Sequence, residues 1–209
     1  MRKICAGFSV NILTWKLASK EGKLVLGEIC EYLYSKDRDE REANKSDSQF
    51  DEQLQTKCHT LLNILEKMSE AVKGIEAVYE KSTGFEQLCD ISANMSKSVS
   101  ISPVKKVVDI SSTNNESLNS SSSNPNSSLV ELDKSVLLSS DLAKWTLTVL
   151  TCYKNQLKMN QIVAKNICHL KSRPEALFHM SIWVAQPGLD TECIVAECAM
   201  EQTLKSCSD

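Results

Sequence analysis

Apolar residues recur every three or four positions through much of this chain. The clearest run alternates steps of four and three without a gap and comprises Leu54, Cys58, Leu61, Leu65, Met68, Val72, Ile75 and Tyr79. A heptad seam of this kind, with charged residues on the remaining faces, is typical of a coiled coil or a long bundle helix. It predicts a helix that begins at a cap on Asp47 or Ser48 and ends near Gly84.

A second apolar stripe lies near the N-terminus and predicts a helix from Phe8 to about Lys36. Its members are Trp15, Ala18, Gly22, Val25, Ile29 and Tyr32, and we expect Leu13, Leu17, Leu24 and Leu33 to widen it. We expect the heptad seam to pack against this stripe within one chain, because other helices offer matching faces. The alternative is a coiled-coil protein that self-associates through the seam.

Helical periodicity returns in the C-terminal part of the chain. A third long helix is predicted from about Ser139 to Leu170, with two adjacent apolar stripes that suit packing against two neighbours. Pro174 is suited to the first position of a short helix through Gln186, and Pro187-Gly188 ends it. A last helix is predicted from Thr191 to about Lys205.

The composition changes between these helical parts. The stretch "SSTNNESLNSSSSNPNSS" (111–128) is rich in Ser and Asn and nearly devoid of apolar residues, so we expect it to be disordered. The predicted organisation is an N-terminal helical hairpin (1–90), a disordered Ser/Asn-rich linker (91–138) and a C-terminal helical region (139–209) packed on the hairpin. The fold class is all-α, an elongated bundle or coiled coil of three long helices plus short C-terminal helices.

Composition and charge narrow the range of possible folds and functions. Aromatic residues make up only 5% of the 209 residues, with 6 Gly and 4 Pro, which favours helices over strands. The net charge of −3 and the lack of a long basic block argue against direct binding of nucleic acid. We expect neither a membrane-spanning segment nor a secretory signal, because polar residues interrupt every apolar run.

The cysteines and histidines do not follow the pattern of a catalytic or metal site. The nine cysteines include no Cys-x-x-Cys pair, which argues against zinc and favours reduced thiols. His59 follows Cys58 and His169 follows Cys168, but neighbours on a helix point about 100° apart and cannot form a working pair. Without a phosphate-binding loop or paired carboxylates either, we expect no enzyme activity and no cofactor.

One motif in the linker points to regulation. The sequence "SPVK" begins at Ser102 and fits the preference of cyclin-dependent kinases for Ser-Pro-x-Lys. It lies in a segment predicted to be disordered, where a kinase can extend its substrate. Ser102 is therefore a candidate phosphorylation site.

The C-terminal region carries a family resemblance. The run "YKNQLKMNQIVAKNICHLKSRPEALFHMSIWVAQPGLD" (153–190) resembles the corresponding region of the cyclin-dependent kinase 2-interacting protein family. The matching elements are Tyr153-Lys154, Leu157, Val163-Ala164-Lys165, His169, Leu177, Ser181, Trp183 and Gln186-Pro187. The first helix agrees more loosely, and this chain departs from the family in a shortened N-terminal tail and a long Ser/Asn-rich insert.

The resemblance implies a non-enzymatic nuclear adaptor. Its implied partners are cyclin-dependent kinase 2, the Cdc7 kinase, checkpoint-kinase-associated proteins and an AAA ATPase complex. The implied processes are DNA replication, genome-maintenance signalling and ribosome maturation. The candidate partner surface consists of Tyr153, Leu157, Met180, Ile182, Trp183 and Pro187, although Trp183 itself is expected to close the bundle while its neighbours contact the partner.

Overall fold

The protein is described by a computed structural model that covers residues 2–39, 47–98, 125–170 and 173–206. In this part of the chain it forms α1 (Arg2–Asp39), α2 (Asp47–Ser98), α3 (Pro125–Ile167), α4 (Arg173–Ala185) and α5 (Thr191–Ser206). The described residues contain no strand. Three long helices followed by two short ones confirm the predicted all-α bundle.

Helix α2 lies between α1 and α3, which touch each other very little. Both neighbours run antiparallel to it. Lys57 of α2 binds Glu28 of α1 at 2.6 Å, and Glu76 of α2 binds Lys154 of α3 at 2.5 Å. Because α2 is contacted on two sides, it needs a wider apolar surface than a single seam provides.

The predicted seam of α2 lies in the core, and intramolecular packing is confirmed. Leu61, Leu65, Met68, Val72 and Ile75 are buried, while Leu54, Cys58 and Tyr79 pack at its edges. A second buried line, formed by Ile64, Ala71 and Val78, widens this surface. Since these residues are buried, the seam is already covered by helices of the same chain. Burying each large aliphatic side chain stabilises the fold by about 1.5–3 kcal/mol.

Helices α2 and α3 extend further into the predicted linker than expected. Helix α2 passes through Gly84 and ends at Ser98, and α3 begins at Pro125. Glycine ends a helix when it adopts a positive φ, and no described glycine does so. Pro125 at the first helical position needs no N–H partner there. Residues 99–124, with Ser102 among them, lie outside the described residues.

The prediction for one part of the α1 stripe is wrong. Leu13, Leu17 and Leu24 are exposed, whereas Trp15, Ala18 and Ile29 are buried as predicted. At about 100° per residue, the three leucines point almost directly away from the core-facing side. They belong to a separate apolar line on the outside of α1.

The cysteines also depart from the prediction of reduced thiols. Cys58 of α2 and Cys168, just after α3, form a disulfide that spans 110 positions of sequence. The antiparallel packing of α2 and α3 brings these distant positions to the same level of the bundle, which sequence spacing does not reveal. Cys30, Cys89, Cys152, Cys193 and Cys198 are free thiols.

Candidate functional site

The predicted partner residues lie where α3, α4 and α5 meet α1. Tyr153, Leu157 and Trp183 are buried and offer no surface, so this part of the predicted partner surface is corrected to core. Met180 and Ile182 are partly buried and pack against that core, whereas Pro187 is exposed in the turn after α4. The expectation that Trp183 closes the bundle is confirmed.

Trp183 fits against α1 because of a glycine. A Cβ added at Gly22 would overlap the six-membered part of the indole ring, so the absence of a side chain lets the ring reach the helix backbone. The indole Nε1 donates a hydrogen bond of 3.0 Å to the carbonyl oxygen of Ser19. The ring is thus buried with its polar group satisfied, as a stable interior tryptophan requires.

The residue after α4, Gln186, forms hydrogen bonds with two residues of α1. Gln186 has a φ of 48°, which is uncommon for a residue with a side chain and turns the backbone sharply. Its Nε2 donates to Ser19 Oγ, and its Oε1 accepts from Trp15 Nε1 at 3.2 Å. The side chain therefore ties the α4–α5 turn to α1.

The same turn is also held by α3. Gly188 N donates to Gln156 Oε1 at 2.8 Å, and Gln156 Nε2 donates to Asn160 Oδ1 at 2.8 Å. A Cβ on Gly188 would lie 2.9 Å from the backbone nitrogen of Gln156, so this approach requires glycine. Gln156 and Asn160 are buried with partners, as buried polar groups need to be.

A buried tyrosine links α3 to α5 and α1. Tyr153 packs edge-on against Trp15, with ring centroids 4.9 Å apart, and its hydroxyl donates to Glu197 Oε1 at 2.8 Å. The other carboxylate oxygen of Glu197 binds Lys16 Nζ at 3.2 Å. Burial, reinforced by the charge of Glu197, raises the pKa of Tyr153 far above its ordinary value. The hydroxyl therefore remains a hydrogen-bond donor at all physiological pH values.

Two thiols beside this tyrosine are poorly suited to chemistry. Burial, followed by the charge of Glu197, raises the pKa of Cys193 strongly. Burial, followed by the charge of Asp190, also raises the pKa of Cys152. Both groups are protonated at neutral pH, whereas a nucleophilic cysteine needs its thiolate form. Asp190 instead caps α5, since its Oδ1 accepts from Cys193 N at 2.9 Å.

Helix α4 exposes three large apolar side chains. Phe178 is 64% exposed, and Leu177 and Val184 are each 44% exposed; we call these three residues the outer α4 face. Next to it, a groove of about 260 Å³ runs between α1 and α4, with Val184 on one wall and Lys16, Lys20 and Lys23 on the other. A lysine-edged apolar surface of this kind suits a protein partner better than a small ligand.

Sequence reasoning missed the outer α4 face because apolar residues surround this short helix. Trp183 and Ala176 point inward, whereas Leu177 and Phe178 directly follow Ala176 and point outward. The general signal was present, since α4 has more apolar residues than one buried side can use. Which of them stay outside depends on how α4 is oriented by Gly22 and Gln186.

Among the described side chains, no group of three or more His, Cys, Asp or Glu is arranged to hold a metal. None of the described helices has a stretch both long and apolar enough to cross a bilayer. No family model and no curated protein matches the chain.

Proposed function

We propose that this chain is a non-enzymatic adaptor that binds other proteins through the outer α4 face. The observation that carries the proposal is the exposure of Leu177, Phe178 and Val184 on a helix whose opposite side is anchored by Trp183. Large apolar side chains that are exposed together on a rigid support mark sites of protein interaction. A rigid support also reduces the entropy lost on binding.

Charge near the outer α4 face favours a partner with acidic residues. Lys16, Lys20 and Lys23 line the adjacent groove, so carboxylates of a partner could approach them while apolar side chains cover Phe178. Such edge charges increase the association rate and the specificity more than the affinity.

Within this proposal, the partners are those that the family resemblance of residues 153–190 implies. They are cyclin-dependent kinase 2, the Cdc7 kinase, checkpoint-kinase-associated proteins and an AAA ATPase complex, in the nucleus. The processes served are DNA replication, genome-maintenance signalling and ribosome maturation. Because nuclear thiols are kept reduced, the form with Cys58 and Cys168 as thiols is the one we expect to bind there.

A quantitative pull-down tests the proposal. The reduced full chain is immobilised and incubated separately with purified cyclin-dependent kinase 2 complex, Cdc7 complex and the AAA ATPase complex. We expect the double substitution Phe178→Ser and Val184→Ser to weaken capture of at least one of them by about tenfold or more, because the loss removes apolar contact area.

Leu62→Ser provides the matched control, since Leu62 is an exposed leucine on α2, away from α4. Circular dichroism should be unchanged for both variants. Failure of the unmodified chain to capture any of the three complexes would refute the assigned partners, and equal capture by both variants would refute the assigned surface.

The alternative of self-association through α2 has less structural support. The α2 seam is covered by α1 and α3, so a dimer through it would first have to separate the bundle. Exposing buried aliphatic side chains costs about 1.5–3 kcal/mol for each residue. Any self-association of the folded chain must use a different surface.

A further inference from the structure

Helix α1 has a second apolar side that no part of the described chain covers. Val10, Leu13, Leu17 and Leu24 are 63%, 58%, 60% and 63% exposed, and we call them the outer α1 stripe. They point directly away from the core-facing residues of the same helix. A surface helix normally carries polar residues on that side, so this stripe requires a physical explanation.

The spacing of the outer α1 stripe is that of a coiled-coil seam. With Val10, Leu17 and Leu24 at the first core position of each heptad, Leu13 falls on the second core position. Lys20 and Gly27 occupy the remaining second core positions and weaken the seam. From Val10 to Leu24 the stripe is about 21 Å long at 1.5 Å per residue.

The charged residues beside the stripe differ between its two edges. Lys16 and Lys23 lie along one edge, whereas Glu21 and Glu28 lie along the other. In a parallel pair of helices, each residue on the first edge faces the residue five positions later on the second edge of its partner. Two parallel copies of α1 would therefore pair Lys16 with Glu21 and Lys23 with Glu28 across the interface.

Antiparallel pairing of two copies would bring like charges together. The lysine edge of one copy would face the lysine edge of the other, and the glutamate edges would also meet. Like charges at such close range are unfavourable. The charge pattern is thus self-complementary in the parallel arrangement only.

Pairs within the chain keep these edge residues in place. Glu21 binds Lys67 at 3.0 Å, Glu28 binds Lys57 at 2.6 Å and Lys16 binds Glu197 at 3.2 Å. The side chains of Glu21 and Glu28 remain 47% and 57% exposed, so each can also meet a lysine from another molecule. The cost of ordering them for an interface is correspondingly reduced.

We propose that two copies of this chain dimerise through a parallel pairing of their α1 helices along the outer α1 stripe. The interface is short and contains Lys20 and Gly27, so the dimer is reversible rather than obligate. It leaves Leu177 and Phe178 of each copy open, but it uses Lys16 and Lys23, which also line the groove beside Val184. The dimer does not depend on the proposed adaptor function, and either can fail without the other.

Sedimentation equilibrium of the full chain in reducing buffer tests the dimer, because reductant prevents disulfide links between molecules. We expect the mass to rise from 23.3 kDa towards twice that value as concentration increases to about 100 μM. Leu13→Glu combined with Leu17→Glu should keep the chain monomeric at every concentration. Ile194→Glu combined with Val195→Glu, a matched exposed pair on α5, should leave the dimer intact.

A charge exchange tests the parallel register. Lys23→Glu and Glu28→Lys should each weaken the dimer by about fivefold, and the two changes together should restore most of its affinity, since only the pair of Glu28 with Lys57 within the chain stays lost. Residues five apart on one helix do not face each other, so this restoration cannot arise within a chain. Lys20→Leu should tighten the dimer by about tenfold, because it completes the seam.

Three results would overturn the proposal. A monomer at every concentration would mean that the stripe binds a different protein or another segment of the same chain. A dimer that survives Leu13→Glu with Leu17→Glu would use another surface. A charge-exchanged double variant as weak as its single variants would exclude the parallel register.

Discussion

The α2 seam and the α4–α5 end of the molecule are stabilised in different ways. The seam buries many apolar side chains, and burial of each large one contributes about 1.5–3 kcal/mol. The α4–α5 end depends on a few residues with individual partners, such as Trp183 with Ser19 and Gln156 with Gly188. Loss of one contact should therefore be tolerated in the seam more readily than at the α4–α5 end.

Trp183→Ala should produce the largest effect at the α4–α5 end. It removes a fully buried ring together with the hydrogen bond from its Nε1 to the carbonyl of Ser19, at a cost of about 3–5 kcal/mol. Urea unfolding measures the loss. Phe178→Ala serves as the control on the same helix, because its exposed ring should contribute less than about 0.5 kcal/mol. Equal losses for the two variants would contradict the assigned orientation of α4.

Reduction of the Cys58–Cys168 disulfide, which joins α2 to α3, should produce the second-largest loss of stability. The bond closes a loop of 110 positions in sequence, and its removal should lower the free energy of unfolding by about 2–4 kcal/mol. Chemical denaturation with and without dithiothreitol measures the change. A variant with both cysteines replaced by serine should not respond to reductant; a response there would point to a different disulfide.

Substitutions at two glycines of α1 distinguish the effect of close packing on stability from the effect of helix propensity. Gly22→Ala should destabilise the chain by about 1–3 kcal/mol, because the new methyl group overlaps the Trp183 ring. Gly27→Ala should instead stabilise it by about 0.5–1 kcal/mol, since nothing lies within 4 Å of the new atom. Thermal denaturation compares them. A stabilising Gly22→Ala would show that the ring moves away without cost.

Alkaline pH should weaken the α4–α5 end through Tyr153 and Cys193. Their pKa values are raised in the folded state, so the unfolded chain loses protons first as pH rises. Stability from these groups is intact below their ordinary pKa values; it declines above about pH 9 for Cys193 and above about pH 10 for Tyr153, by up to about 1.4 kcal/mol per pH unit for each group. Stability curves against pH for the unmodified chain and for Tyr153→Phe with Cys193→Ala measure the difference. Parallel curves would contradict the raised pKa values.

Periodicity predicts the long helices and the core of this fold well. The α2 seam and the helices on either side of Pro187 follow from spacing and proline alone. The outward leucines of α1 were misplaced because apolar residues lie on two opposite sides of that helix, and spacing does not say which side is buried. The contacts of Gln156, Gln186 and Gly22 escape sequence reasoning because each partner is far away in sequence and has no pattern of its own.

The Cys58–Cys168 disulfide also changes the covalent connectivity of the molecule. With the bond formed, any one peptide bond between these two positions can be cut and the two pieces still remain one molecule. The same cut in the reduced chain leaves two separate polypeptides held only by helix packing. A nicked sample should run as one band on a nonreducing gel and as two after reduction, so electrophoresis reports directly whether the bond is present.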